Sequence, residues 1–227
     1  MIHWSEPGYA VAFTLRTGGV SVGPYAALNL GLHGDDDPAA VAENRRRACA
    51  AVEADPARLA WNRQVHGSLV RQAAAGSVGD GADGTWTDEP GVPLLALAAD
   101  CVPIVLARTS GTPALAVIHA GWRGLDAGVV EAGVAALGGG PSAGVVGPAI
   151  GPCCYEVGVE VSGRFDADLT RDGRLDLWAA AERRLLSAGV ARVERIDLCT
   201  ACNPRLFFSH RRDGGVTGRQ GVIGHIG

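Results

Sequence analysis

A chain of 227 residues with 47% hydrophobic and 19% charged side chains has the balance of an ordinary globular protein, long enough to fold without covalent staples as one domain or two tightly fused halves. The formal charge of −4 excludes a surface built for general nucleic-acid binding, which needs a basic excess, and no run approaches the roughly 18 apolar residues of a membrane span. The start, Met1 to Phe13, lacks the basic and cleanly apolar regions of a secretory signal; a cytoplasmic location is expected, where the six cysteines stay reduced and serve metal binding, catalysis or burial.

In chain order, Tyr9 to Thr14 reads as a short strand that ends in the turn Arg16-Thr17-Gly18-Gly19, and Leu28 to Asp37 as a polar loop. Asp37 is suited to cap a helix that Pro38 opens and that runs to about Glu53. Leu59 to Val65 reads as a strand with His66-Gly67 at its end, and Gly76 to Gly91, rich in Gly, Asp and Thr, as a loop. Val92 to Ala99 and Val102 to Ala107 are apolar strands interrupted at Asp100-Cys101, and Ala114 to His119 is another strand, followed by the turn Ala120 to Gly124. A helix is expected over Asp126 to Leu137, then a loop or boundary at residues 138–142, a short strand at Val145-Val146, helices over Val159 to Leu169 and Leu175 to Ala188, and strands at Val193 to Leu198 and Gln220 to Ile226. Strands and helices mix without a strict alternation, which favours an α+β fold with mixed sheets over a doubly wound parallel one, in a single domain spanning 1–227.

Three potential metal ligands fall in one setting: His66 ends a strand, Cys101 breaks an apolar run, and His119 ends another strand. A His/Cys/His set suits zinc and leaves a fourth position open, as catalytic sites do, although the long spacings do not by themselves bring the three together. Buried histidines and a cysteine acting as a small hydrophobe are the plain alternative. Asp100 within Leu94 to Leu106 is costly to bury unless paired, so it orients a ligand, holds a substrate or stabilises a turn. Arg123 lies between Gly121 and Gly124 and is suited to an anion or to a structural ion pair. Cys199-Thr200-Ala201-Cys202 has the CxxC spacing, but one such pair cannot close a four-ligand site, and a structural role is favoured for it and for Cys153-Cys154.

Several motifs follow one another in order: Gln64-Val65-His66-Gly67, Ala99-Asp100-Cys101-Val102-Pro103-Ile104, His119-Ala120-Gly121-Trp122-Arg123-Gly124, and the run from Gly147 to Val157. With Asn29-Leu30-Gly31, Gly34-Asp35-Asp36, Asn44-Arg45, Ala82-Asp83-Gly84, Ser209 to Arg212 and Thr217-Gly218-Arg219, the chain closely resembles the YfiH-like family, also called the laccase-domain or multicopper polyphenol oxidase family, over nearly its whole length. The resemblance implies a layered α/β sandwich with mixed β-sheets and zinc held by His66, Cys101 and His119. It implies a purine nucleoside phosphorylase acting on adenosine, inosine, guanosine and S-methyl-5′-thioadenosine with inorganic phosphate, with adenosine deaminase activity alongside. It also implies that Arg45 binds nucleoside or phosphate, with Arg16 and Arg123 as weaker candidates, that Asn29 and Asp36 line the pocket, and that Asp83 and Asp100 position ligands or transfer protons. Asp100, Asp83 and Glu156 remain alternatives as the acid-base group. The rival readings are a copper polyphenol oxidase, a cysteine hydrolase with Cys101 as nucleophile, one acting on peptidoglycan precursors among them, and a structural zinc domain that binds a partner. Either a monomer or a homodimer is compatible with the sequence.

Overall fold

The computed structural model describes residues 1–139 and 142–227. In chain order its strands are β1 (Ile2–Glu6), β2 (Tyr9–Phe13), β3 (Ala60–Arg63), β4 (Val70–Gln72), β5 (Val78–Asp80), β6 (Gly84–Thr87), β7 (Leu94–Ala98), β8 (Val102–Arg108), β9 (Leu115–Ala120), β10 (Ser142–Val146), β11 (Thr170–Arg171), β12 (Arg174–Leu175), β13 (Arg192–Arg195) and β14 (Gln220–Ile226). The α-helices are α1 (Pro38–Ala50), α2 (Trp122–Asp126), α3 (Val129–Ala136), α4 (Val159–Ser162) and α5 (Leu177–Ser187).

The strands form two six-stranded mixed sheets, one in the order β1-β2-β14-β7-β3-β5 and the other β13-β10-β8-β9-β6-β4, with β11 and β12 a separate small hairpin. The continuous apolar runs are explained by burial on both faces of these sheets. Along β7, Leu94 and Ala96 join one core cluster while Leu95 and Leu97 join another. Along β8 and β9, Val105, Leu115 and Val117 face the cluster shared between the sheets, whereas Ile104, Leu106, Ala116 and Ile118 face the helical side. Phe13, Leu94, Val105, Val117 and Val222 thus fill the space between the sheets. Leu125, Val130, Leu177 and Leu185 of α2, α3 and α5 cover one outer face, and Ala48 and Cys49 of α1 cover the other. The result is four layers, helix, sheet, sheet, helix, with a double-sided core that fixes the strand ends where β7 of one sheet passes to β8 of the other.

The α1 start is as expected: Asp37 accepts a hydrogen bond from the Ala39 N–H at 2.9 Å and Pro38 occupies the first turn. Other elements differ. The segment read as a loop from Gly76 to Gly91 holds β5 and β6, and β6 lies inside its sheet between β9 and β4. Gly84 opens this strand because a Cβ there would meet the Val70 side chain at 2.7 Å; close approach, not a turn, selects glycine. The helix expected from Asp126 begins at Trp122 and breaks at Gly128, whose φ of 87° is left-handed, so the motif read as a turn is itself helical. Val161, Phe165 and Leu169 have helical spacing, but α4 stops at Ser162 beside Gly163, and Asp166 leaves helical backbone with ψ 139°. Residues 140–141 of the expected loop or boundary lie outside the described residues. No helix among the described residues is long and apolar enough to cross a membrane.

Candidate metal centre

The seam between the two sheets is held by a buried amide. Asn62 of β3 donates through Nδ2 to the Gly84 carbonyl at 3.0 Å and to Thr85 Oγ1 at 2.6 Å, tying the first sheet to β6 of the second. Just past β3, Gln64 extends the ladder with its side chain: Nε2 donates to Leu97 O and Oε1 accepts from Leu97 N, both at 2.8 Å. The chain then winds around one carboxylate. Asp83 accepts from the backbone N–H groups of Val65 at 3.2 Å, His66 at 2.8 Å and Gly67 at 2.7 Å. This holds His66 in a left-handed conformation with φ 61°, unusual for a residue bearing a side chain.

The same carboxylate orients a second ring. Asp83 Oδ1 lies 2.9 Å from His119 Nδ1, both groups are buried, and the His119 N–H donates to the Asp83 carbonyl at 2.7 Å. A proton on Nδ1 facing the carboxylate leaves the Nε2 lone pair free to ligate. The two imidazoles stand edge to face, 4.7 Å between centroids and 87° between planes. Cys101 arrives from the crossover between β7 and β8, after Asp100, which is also left-handed at φ 91°. Asp100 is fixed on both sides: Oδ1 accepts from Thr200 Oγ1 at 2.6 Å and Oδ2 from the Arg211 N–H at 2.7 Å.

One ligand atom from each of His66, Cys101 and His119 lies within 4.8 Å of the others. The expected trio therefore converges, from the two sheets and the link between them. Gly121 completes the fit, since a Cβ there would stand 3.0 Å from Cys101 Sγ and 3.3 Å from His66 Cδ2. Burial acts most strongly on the Cys101 thiol and opposes its ionisation, but the charge and hydrogen bond of His119, helped by the bond to His66, prevail and lower its pKa to about 6. For His119, burial opposes the cation, and the Cys101 charge and the bond to Asp83 overcome it, raising the pKa to about 9. Without an ion the pair is thus a thiolate beside an imidazolium, and an ion bound there would take the place of the His119 Nε2 proton; two nitrogens with one sulfur are a donor set that zinc accepts while keeping a position open.

The trio lies in the wall of a cavity of about 410 Å³, a size suited to a small molecule. Asp100 and Arg123 also line it, and the Arg123 guanidinium stacks on Trp122 at 4.4 Å. Other expected residues are placed elsewhere. The polar atoms of Asn29 are used within its loop, accepting from Gly31 N and Arg219 N and donating to Gly31 O and Asp36 Oδ2; Asp36 also accepts from Ser21. Neither lines the cavity. Arg45 likewise stands outside the lining: Nε donates to Leu30 O at 2.9 Å, the guanidinium covers Trp61 at 4.1 Å, and Nη2 is buried without a partner. Burial lowers its pKa to about 10. Arg16 bonds the Ala26 carbonyl and stacks on Phe208, and Glu156 is an exposed partner of Arg174.

Sequence reasoning gave no role to His33, Tyr155, His210, Arg211 and Arg219, all of which line the cavity. Four of them sit in recognised motifs, in the run from Gly147 to Val157 and in the C-terminal tail, so the signal was present. What brings the tail to the site is the Asp100–Arg211 bond across 111 residues.

Fold and site together define a two-sheet α/β protein with a histidine–cysteine–histidine centre at the seam of its sheets. Residues 10–226 match the family described as multi-copper polyphenol oxidoreductase laccase, and the chain belongs to that family. A purine nucleoside phosphorylase of Pseudomonas aeruginosa is 42% identical over 224 residues, covering 92% of this chain and 90% of that protein. The Escherichia coli protein named purine nucleoside phosphorylase YfiH is 38% identical over 230 residues, covering 95% and 93%. Among solved structures, YlmD from Geobacillus stearothermophilus matches with a TM-score of 0.89 at 35% identity, over 97% of this chain and 92% of that one. A Bacillus licheniformis YfiH matches with a TM-score of 0.89 at 30% identity, over 96% and 93%.

Proposed function

We propose that this protein is a zinc-dependent purine nucleoside phosphorylase acting on adenosine, inosine, guanosine and S-methyl-5′-thioadenosine, with adenosine deaminase activity at the same site. The observation that carries the reading is the convergence of His66, Cys101 and His119 in the wall of a cavity that also gathers cationic and aromatic side chains. The names of relatives 38% to 42% identical supply the substrate class.

When bound by His66, Cys101 and His119, zinc supplies Lewis acidity with one coordination position left for a reactant. The rest falls to the chain's own groups. Leu97, Ala98 and the Trp122 and Tyr155 rings offer apolar surface to a purine. Phosphorolysis also needs an anion held beside the sugar, and Arg123, Arg211 and Arg219 line the cavity with guanidinium groups, which bind phosphate in two-pronged fashion. Arg45 stands outside the cavity lining, and its assignment to phosphate or nucleoside rests on the family motif, with a buried guanidinium nitrogen left without a partner. The departing base must take a proton on a ring nitrogen, and His33 and His210 carry imidazoles, the commonest acid-base groups, on the same cavity. Asp83 and Asp100 act as positioning residues, the first on His66 and His119, the second on Arg211. Zinc is preferred over copper because a blue-copper centre adds a weak axial ligand, methionine or at times glutamine: the one methionine of the chain is Met1, at its exposed start, and the Gln64 amide on the cavity is bonded at both ends to the Leu97 backbone.

A metal-free cysteine hydrolase is the alternative. Cys101, His119 and Asp83 form a cysteine–histidine–aspartate series, the arrangement of a metal-free nucleophile. Alkylation separates the two. Under the zinc reading, Cys101 is protected until a chelator is added; rapid alkylation of metal-replete protein, unchanged by chelator, supports the hydrolase. The direct test is incubation with the four nucleosides, with and without phosphate, and chromatography of products. Free base and pentose 1-phosphate should appear only with phosphate, and inosine should form from adenosine in either case. No turnover by zinc-loaded protein on any of the four would overturn the proposal.

A further inference from the structure

We propose a second metal site, separate from the cavity: a closed four-cysteine centre formed by Cys153, Cys154, Cys199 and Cys202 that binds zinc or another thiophilic divalent ion and locks two walls of the cavity together. The sulfurs of all four lie within 4.8 Å of one another. Cys202 Sγ is 3.5 Å from Cys153 Sγ and 3.3 Å from Cys154 Sγ, across 49 and 48 residues of sequence. A disulfide needs about 2.05 Å. Four sulfurs around one zinc at Zn–S 2.3 Å stand roughly 3.8 Å apart, so the observed spacing is close to the edge of a coordination tetrahedron. Either pair alone is half a site; the fold supplies the other half.

The pairs meet because the backbone is fixed on both sides. Ala149 and Cys199 form a parallel bridge, and the Thr200 N–H donates to the Ala149 carbonyl at 3.0 Å. The Gly151 N–H donates to Cys199 Sγ at 3.3 Å, the kind of contact that steadies a metal-bound thiolate. Asn203 Nδ2 donates to the Cys199 carbonyl at 2.8 Å, which shapes the CxxC turn. An ion with four thiolates carries net negative charge once the thiol protons have passed to solvent. Arg212 sets a guanidinium beside it, donating to the Thr200 carbonyl at 2.8 Å between the two ligands of the turn. Cys199 is buried and Cys153 and Cys202 are exposed, so an ion can enter from the surface.

Four protein ligands leave no position for a reactant, so the role is to hold structure. Tyr155 follows Cys154 directly, and Thr200 inside the CxxC turn holds Asp100, which in turn holds the Arg211 backbone. The centre therefore joins the segment bearing Tyr155 to the segment bearing Arg211, both on the cavity.

The test counts metal in the full chain purified under reducing conditions and loaded with zinc, then repeats with cobalt. Two equivalents per chain are expected in the wild type, and one each in Cys202→Ser, Cys199→Ser and His119→Ala. Cobalt at the four-cysteine centre should give intense sulfur-to-metal charge-transfer absorption that persists in His119→Ala and falls in Cys202→Ser to the weaker band of the single Cys101 thiolate at the seam. In wild-type protein, the four thiols should resist alkylation until a chelator is added, a readout that needs no variant to fold. One equivalent in the wild type that disappears in His119→Ala, with all four thiols freely alkylated, overturns the proposal. So does a disulfide among these cysteines with no second equivalent after its reduction. Because metal count and thiol protection do not depend on turnover, a failure here is distinct from a failure of the nucleoside reading.

Discussion

Two sulfur-bearing clusters occupy this molecule, and their construction differs. His66, Cys101 and His119 come from three separate segments and converge at the seam of two sheets, where one buried carboxylate, Asp83, holds the His66 backbone and the His119 ring. The four cysteines come from two short segments, lie near the surface, and are braced by backbone bonds with no carboxylate among them. The first set is incomplete as a coordination sphere and lies on a cavity; the second is complete and does not line that cavity. The contrast teaches how a fold separates chemistry from scaffolding: a reactive centre draws single residues from rigid strand ends, whereas a clamp is written as local pairs in loops.

Removing a ligand of the seam should have the largest effect. Cys101→Ala or His119→Ala should lower inosine phosphorolysis by about 10³-fold or more and remove the metal of that centre, measured by kcat/KM and metal content. Full metal at the seam in Cys101→Ala would contradict the ligand assignment. Asp83→Asn comes next. It weakens the acceptor for three backbone N–H groups and replaces the carboxylate on His119 by an amide. Metal affinity or activity should drop by about 10–100-fold, and stability should fall by about 1–3 kcal/mol, the usual cost of an ill-matched buried polar group. Competition with a chromogenic chelator and thermal denaturation read the two effects.

The sequence made these two clusters legible to different degrees. The trio could be named because each member ends or interrupts an apolar strand, a pattern visible without coordinates. Asp83 drew a ligand-positioning or proton-transfer role only from its family motif, inside a segment that read as a Gly/Asp/Thr-rich loop; the pairing of β6 within its sheet is what brings its carboxylate to the His66 backbone and the His119 ring. Half of the four-cysteine cluster was visible as CxxC; the other half depends on the Ala149–Cys199 bridge, a contact that no local spacing announces. The double burial of β7, β8 and β9 was readable from their unbroken apolar runs. Asn29 and Asp36 show the converse: the family motif suggests that they line a pocket, and their polar atoms bond one another and the Gly31 backbone within a loop.

Gly121→Ala perturbs the shape of the seam centre alone. The added Cβ meets Cys101 Sγ and His66 Cδ2, so the trio must spread. Metal affinity at the seam should weaken by about tenfold while the four-cysteine cobalt spectrum stays unchanged; equal loss at both would mean that the two clusters are coupled. Arg45→Ala should act more gently, leaving metal in place and raising the apparent KM for phosphate or nucleoside by a few-fold. It also removes the guanidinium stacked on Trp61, a contribution of about 0.5–2 kcal/mol to stability. An unchanged KM with that stability loss would assign Arg45 to packing alone.

The smallest effect is expected at Glu156, which lies two residues past Cys154 yet belongs to neither cluster. Its side chain is 69% exposed, its partner is Arg174 at 2.9 Å, and it is absent from the cavity wall. An exposed pair of this kind contributes at most about 1 kcal/mol, and a carboxylate outside the cavity cannot reach a purine nitrogen. Glu156→Gln keeps the shape and removes the charge, so it isolates the acid-base question from folding. Phosphorolysis and deamination should both remain within about twofold of wild type, against the large losses that proton-transfer groups show when removed. A deaminase rate that falls a hundredfold while phosphorolysis persists would instead bring Glu156 into the site through movement of the loop it occupies, and would make the four-cysteine clamp beside it a determinant of that chemistry.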